Sequence, residues 1–127
     1  MKIHESAENY LETILLLEKN NGFVRSIDIA TELGFSKPSV SVAMKNLREN
    51  GYIETDSSGH IVLLSKGREV AEKMYERHML ITKWLVSIGV PEDIAADDAC
   101  KVEHVISEET FAAIKGTYKV KYCAPDE

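Results

Sequence analysis

Apolar residues recur at helical spacing near the start of the chain. Tyr10, Ile14 and Leu17 make one stripe, which Leu11 and Leu15 widen. The pattern predicts a helix over residues 8–19, with Glu8, Asn9 and Glu12 on another flank and Asn20-Asn21-Gly22 as its stop. Ser26 is placed to cap a short helix, "IDIATEL", which Gly34 ends. After Phe35, Ser36 caps a further helix with Pro38 in its first turn, where a missing N–H costs nothing. Val40, Ala43, Met44 and Leu47 give that helix its inward stripe, and Gly51 closes it. "YIETD" and "HIVLL" read as two short strands around a Ser/Gly turn.

The second half is mainly helical. Ser65 opens a long helix to about Ile88, with Val70, Met74, His78, Ile81, Leu85 and Ile88 at its inward positions. His78 thus falls in the register expected to be buried. Gly89 ends that helix, and Pro91-Glu92-Asp93 opens the next with acids at the positive end of its dipole. Ser107 caps a last helix to about Gly116, and "TYKVKYCAPDE" reads as a tail with at most a short strand. The expected fold is mainly α. Three helices and a hairpin form a winged helix-turn-helix over 1–66, and a helical domain follows over 67–127.

Composition adds limits. The 127 residues carry 44% apolar and 28% charged side chains, the balance of a soluble globular chain. The longest aliphatic run, Ile14 to Leu17, is far too short for a bilayer, and "MKIHESAENY" has no signal-peptide core. The expectation is a cytoplasmic protein without a membrane partner. Cys100 and Cys123 are the only cysteines and are expected as free thiols rather than one disulfide. No HExxH, Ser/His/Asp set or phosphate-binding glycine loop is present, so neither an enzyme nor a small organic substrate is expected.

A net charge of −6 weighs at first against nucleic acid. Its distribution changes that reading. Residues 1–68 hold 8 basic against 9 acidic side chains, while residues 69–127 hold 7 against 12. Between Ser36 and Arg48 there is no acid at all. A local basic face can bind phosphates on an acidic protein. The stretch "SKPSVSVAMKNLR" is therefore read as the recognition helix for double-stranded operator DNA. Its candidate contacts are Ser36, Lys37, Pro38, Ser39, Ser41, Val42 and Lys45, with Ser26 on the preceding helix and His60 on the wing. Small hydroxyl side chains let a helix sit deep in the major groove, and Val42 suits a thymine methyl. The plainer alternative is a solvated helix face.

"DACKVEHVIS" puts Cys100, Glu103 and His104 at helical positions i, i+3 and i+4. Thiolate, carboxylate and imidazole together suit a divalent transition metal. His78 strengthens the reading from the preceding helix, and Glu12 with Asn9 could complete a shell from the first. Taken singly, each of these residues has an ordinary structural explanation.

Together, "ENYLETILLL", "IATELGFSKPSVSVAMKNLRENGYI", "LLSKGREVAEKMYERHMLITKWLVSIGV" and "DDACKVEHVISEE" resemble the DtxR/MntR family of metal-dependent transcriptional repressors over roughly residues 5 to 115. The resemblance implies a dimeric repressor with an N-terminal winged helix and a helical metal-binding and dimerisation domain, in the short form without an SH3-like domain. It implies Cys100, Glu103 and His104 as primary ligands, with His78 and Glu12 at ligand positions of the manganese branch. Asn9 stands where that branch has Asp, and Cys100 follows the iron branch. Thr82 and Ala96 replace the iron branch's ancillary ligands.

A thiolate is softer than a carboxylate, so Fe²⁺ is favoured as effector and Mn²⁺ comes next. Zn²⁺, Co²⁺ and Ni²⁺ are expected to bind in vitro. Trp84, Val105, Ile106, Phe111 and Ile114 are candidates for the homodimer surface or for the internal core. The competing expectation is a metal-independent winged-helix regulator with a redox-sensing cysteine.

Overall fold

The computed structural model describes residues 5–122, with side chains over 6–118. The chain divides into two compact units, Met1–Met74 and Tyr75–Glu127. The first contains α1 (Glu5–Asn21), α2 (Ser26–Leu33), α3 (Lys37–Glu49), β1 (Ile53–Thr55), β2 (Ile61–Leu63) and the start of α4 (Ser65–Ser87). The second contains the rest of α4, then α5 (Glu92–Val102) and α6 (Glu108–Tyr122).

In the first unit α1 packs against α2 and β2. Leu11, Ile14 and Leu15 are buried, each contributing about 1.5–3 kcal/mol by leaving water. Glu12 and Thr13 between them are buried too, so the shielded part of α1 is wider than one stripe. Thr13 returns its hydroxyl to the Asn9 carbonyl at 2.8 Å. Glu12 is a carboxylate at 5% exposure, a placement that demands compensating charge or hydrogen bonds.

The cap of α2 lies one residue earlier than expected. Arg25 occupies the N-cap position, and its N–H donates to the Asp28 carboxylate at 2.9 Å. Ser26 becomes the first helical residue. Gly34, at φ 71°, takes the left-handed turn that ends α2 and sends its N–H to the Ala30 carbonyl. Ser36 caps α3 as expected, accepting from the Ser39 N–H at 3.3 Å. Val40, Met44 and Leu47 form the inward face of α3.

The hairpin pairs antiparallel, with Ile53 opposite Leu63 and Thr55 opposite Ile61. Ile61 also donates to the Val24 carbonyl at 2.7 Å, tying the wing to the entry of α2. At the tip, the Asp56 carboxylate accepts from the N–H groups of Ser58 and His60 at 2.8 and 2.9 Å. The His60 N–H bond leads in holding the Asp56 carboxyl below its ordinary 3.8. Support from this depressed group is present above the unfolded pKa and is lost as acid protonates the folded carboxylate. Gly67, in the first turn of α4, lies against the Tyr52 main chain. A methyl group there would overlap the Tyr52 carbonyl oxygen.

The register of α4 agrees with the expected one at Met74 and Ile81 and differs elsewhere. Its buried positions are Gly67, Ala71, Met74, Arg77 and Ile81. Val70, His78 and Leu85 are half-buried, and Ile88 is exposed. The true inward face includes small residues and an arginine, which apolar spacing does not mark. The remaining core of the second unit is small, with Ile81, Ala95 and Ala99 fully covered. Ser107 caps α6, accepting from the Thr110 N–H at 3.0 Å. That helix passes through Gly116 to Tyr122, where a tail or short strand was expected. A single glycine costs a helix only about 1 kcal/mol. Cys123 lies outside the described residues. No described helix is long and apolar enough to cross a membrane.

Candidate metal centre and nucleic-acid interface

The second unit assembles three of the expected ligands. α5 ends at Val102, and Glu103 is its C-cap, still donating its N–H to the Ala99 carbonyl at 2.9 Å. Glu103 is therefore the last residue to follow the helical path, and His104 begins the turn beyond it. The expected continuous helix through His104 is corrected to that extent. Glu103 is 0% exposed. Its Oε1 lies 3.0 Å from His78 Nδ1, and its Oε2 lies 3.3 Å from His104 Nε2. The His78 side chain is 26% exposed, so this group borders solvent on one side.

The donor set fits a divalent cation. Two ligand atoms about 2.1 Å from one ion lie about 3.0 Å apart at a right angle and about 3.4 Å apart at the tetrahedral angle. The separation of Glu103 Oε2 from His104 Nε2 falls near the second value, whereas 3.0 Å from Oε1 to His78 Nδ1 is a hydrogen-bond length. A buried carboxylate needs charge or hydrogen bonds to offset its burial, and a bound cation supplies such charge. Where His78 donates from Nδ1 to Glu103, its Nε2 carries the lone pair that a metal would take.

Cys100 sits on α5 and is exposed. Its side chain and His78 line one open cavity of about 560 Å³, together with Asp93, Ile94, Ala96 and Asp97. Glu12 and Asn9 belong to α1 in the first unit, Glu12 buried and Asn9 half-buried.

Residues expected to meet DNA lie on the first unit. On α3, Lys37, Pro38, Ser39, Ser41, Val42 and Lys45 are all exposed, and Val42 shows 61% of its surface. An aliphatic side chain that open on a basic helix suits an apolar contact with a base. The Ser36 hydroxyl is engaged in capping and donates to Ser39 Oγ at 2.9 Å. Ser26 is half-buried at the start of α2. Arg48 reaches back to the Thr55 hydroxyl at 3.4 Å, joining the end of α3 to the wing.

His60 is fixed more tightly than its place on a wing suggests. Its ring stacks on Phe23, with centroids 4.7 Å apart and planes 16° apart. Asp56 lies 3.4 Å from its Nδ1, and Arg25 lies 3.4 Å from its Nε2.

Neither the group of Phe23, Arg25 and Asp56 nor Arg77 is strongly marked by a pattern in the sequence. The alternation of Phe23 and Arg25 before the helix gave a weak signal for the former group. For Arg77, its spacing of three from Met74 and four from Ile81 was the available clue.

Known proteins carry the same organisation. Residues 2–61 match the model of the iron-dependent repressor N-terminal DNA-binding domain. Residues 64–119 match that of the iron-dependent repressor metal-binding and dimerisation domain. The transcriptional regulator MntR of Escherichia coli O6:H1 is 35% identical over 111 residues, covering 87% of this chain and 72% of its own. An uncharacterised HTH-type transcriptional regulator of Methanocaldococcus jannaschii is 34% identical over 113 residues, covering 87% and 90%. Among solved structures, a manganese-dependent transcriptional repressor in complex with manganese superimposes with a TM-score of 0.80 at 28% identity, covering 87% of this chain and 51% of that one. The IdeR structure from T. acidophilum gives 0.78 at 25% identity, covering 97% and 57%. This chain thus spans about half the length of those solved chains. With both domain models matched in order, the chain belongs to the iron-dependent repressor family, the DtxR/MntR group of metal-dependent transcriptional regulators.

Proposed function

We propose that this protein is a metal-activated repressor that binds operator DNA as a homodimer and controls metal-ion homeostasis. The observation that carries the reading is the fully buried Glu103 carboxylate with imidazoles at 3.0 and 3.3 Å. The helical domain, taken from residue 67, holds the ion through His78, Cys100, Glu103 and His104. Glu12, assisted by Asn9, holds it from α1 of the DNA-binding domain, 1–66. When bound, the ion supplies the charge that lets these carboxylates gather in a buried place. Restraining α1 restrains α2 and α3 with it. In a two-fold dimer the two α3 helices then stand about one DNA turn apart, ~34 Å.

Several surface features support the homodimer. Val105 is exposed, and Trp84, Ile106, Phe111 and Ile114 are only half-buried in the single chain. Met79, Val86, Ile88 and Ile94 add exposed apolar area to the second unit.

Fe²⁺ is our first choice of effector, with Mn²⁺ next. The similar E. coli regulator carries a manganese name, MntR. Cys100 pulls the other way, because a thiolate favours softer ions than Mn²⁺. Exposure of Cys100 also meets one requirement of a redox-sensing regulator. That alternative gives no purpose to a buried carboxylate between two imidazoles. Anaerobic calorimetry with Fe²⁺ and Mn²⁺ tests the choice on the wild-type chain and on Cys100→Ser. Loss of the sulfur is expected to weaken Fe²⁺ about tenfold or more while changing Mn²⁺ little. Equal losses for both ions would remove Cys100 as the source of selectivity, and absence of binding to the wild-type chain would remove the metal reading.

A further inference from the structure

Among the described residues, Arg77 is the one basic side chain that is buried, at 5% exposure. Its NH1 donates to two main-chain carbonyls, Glu103 at 3.1 Å and Ile106 at 3.0 Å. Its guanidinium lies 5.2 Å from the centre of the Phe111 ring. Its Nε is buried without a hydrogen-bond partner among the described residues. A methionine or leucine would fill this place with no donor left over. Retaining a cation here argues for a task that packing does not perform.

The two carbonyls bracket the turn in which His104 lies. Carbonyls at a helix end have lost their intrahelical donors and must find others. Arg77 provides one from a neighbouring helix. The next residue along α4, His78, takes the Glu103 carboxylate at 3.0 Å. Consecutive residues of α4 thus grip Glu103 by its main chain and by its side chain. His104 is set between the two anchored carbonyls.

We infer that Arg77 is a positioning residue for the metal centre: it sets the Glu103–Ile106 turn so that the Glu103 carboxylate and the His104 imidazole face one ion. This rests on the metal reading proposed above. Ligands must be held to about 0.5 Å for full affinity, and a loose turn forfeits that. Groups that orient ligands without touching the metal change affinity by about 10- to 100-fold when removed. Arg77 makes no claim on DNA, so its effect is confined to the metal-binding step.

The experiment is an anaerobic Mn²⁺ titration of the full chain by calorimetry, comparing wild type with Arg77→Met and Arg77→Lys. Circular dichroism follows the fold, and duplex binding is measured at saturating Mn²⁺. Arg77→Met is expected to raise the Mn²⁺ Kd by about 10- to 100-fold and to bind DNA like wild type once saturated. Arg77→Lys keeps the charge but loses the planar fork, and is expected to fall between the two. Its titration decides the matter if Arg77→Met does not fold. An unchanged Mn²⁺ Kd in a folded variant, with only thermal stability reduced, would show a purely structural arginine and overturn the inference. A wild-type chain that takes no Mn²⁺ or Fe²⁺ would instead overturn the metal reading and this inference with it.

Discussion

Glu103→Gln is expected to give a folded protein whose DNA binding no longer answers to metal. The substituted amide keeps the size of the carboxylate and removes its charge. A buried carboxylate is costly to desolvate, so its neutralisation does not itself unfold the chain. The loss falls on cation binding. Removing groups that only orient ligands costs about 10- to 100-fold, and removing a direct donor is expected to exceed 100-fold. Calorimetry with Mn²⁺ and Fe²⁺ reads the loss, and circular dichroism checks the fold. A Glu103→Gln chain that binds either ion within about threefold of wild type would exclude Glu103 from the centre.

Ser39→Glu is expected to do the reverse. Ser39 is exposed in the first turn of α3, three residues after the Ser36 cap. A glutamate at that position completes a capping box with Ser36 and suits the positive end of the helix. The helix is therefore stabilised. If this turn faces DNA as proposed, it acquires a negative charge where phosphates approach, and like charges brought together at an interface cost several kcal/mol. DNA affinity should drop by about 100-fold or more while metal affinity stays at the wild-type value. Retained DNA binding in this variant would mean that α3 is not the reading helix.

Much of the architecture was legible in the sequence. The order of helices and hairpin followed from spacing, caps and glycines, and Val40, Met44 and Leu47 turned inward as their period required. Errors arose where a tertiary partner overrode local pattern. In α4 the apolar period pointed to Val70 and His78. The buried face instead runs through Gly67, Ala71 and Arg77, because a close backbone approach at Tyr52 needs glycine and the turn after α5 needs a guanidinium. The same carbonyl-binding arginine lies at the point where α5 stops, with no glycine or proline in the sequence to announce it. At the far end, Gly116 is too weak a breaker to end α6.

The candidate centre was legible to a similar degree. Cys100, Glu103 and His104 stood out by spacing, and His78 by its place one helix earlier. Their depth was not legible. Glu103 is wholly buried, whereas Cys100 is exposed and lines an open cavity. Periodicity reports which face a residue takes, and it does not report how far a helix end is covered by the chain that follows. On the wing, the stack of His60 on Phe23 joins residues 37 positions apart, a pairing that no local pattern displays.

The central claim is that capture of a cation and capture of DNA favour each other. It is tested most directly by anaerobic fluorescence anisotropy, using a duplex that the full chain has selected from a random pool in the presence of Fe²⁺ or Mn²⁺. Coupling of about 1–3 kcal/mol per subunit corresponds to about 5- to 150-fold tighter DNA binding for each ion bound. The account predicts that gain with Fe²⁺ and Mn²⁺, its loss on adding a chelator, and the same factor in metal affinity when duplex is present. A duplex bound equally well with and without metal, or a pool from which nothing is selected, would contradict it.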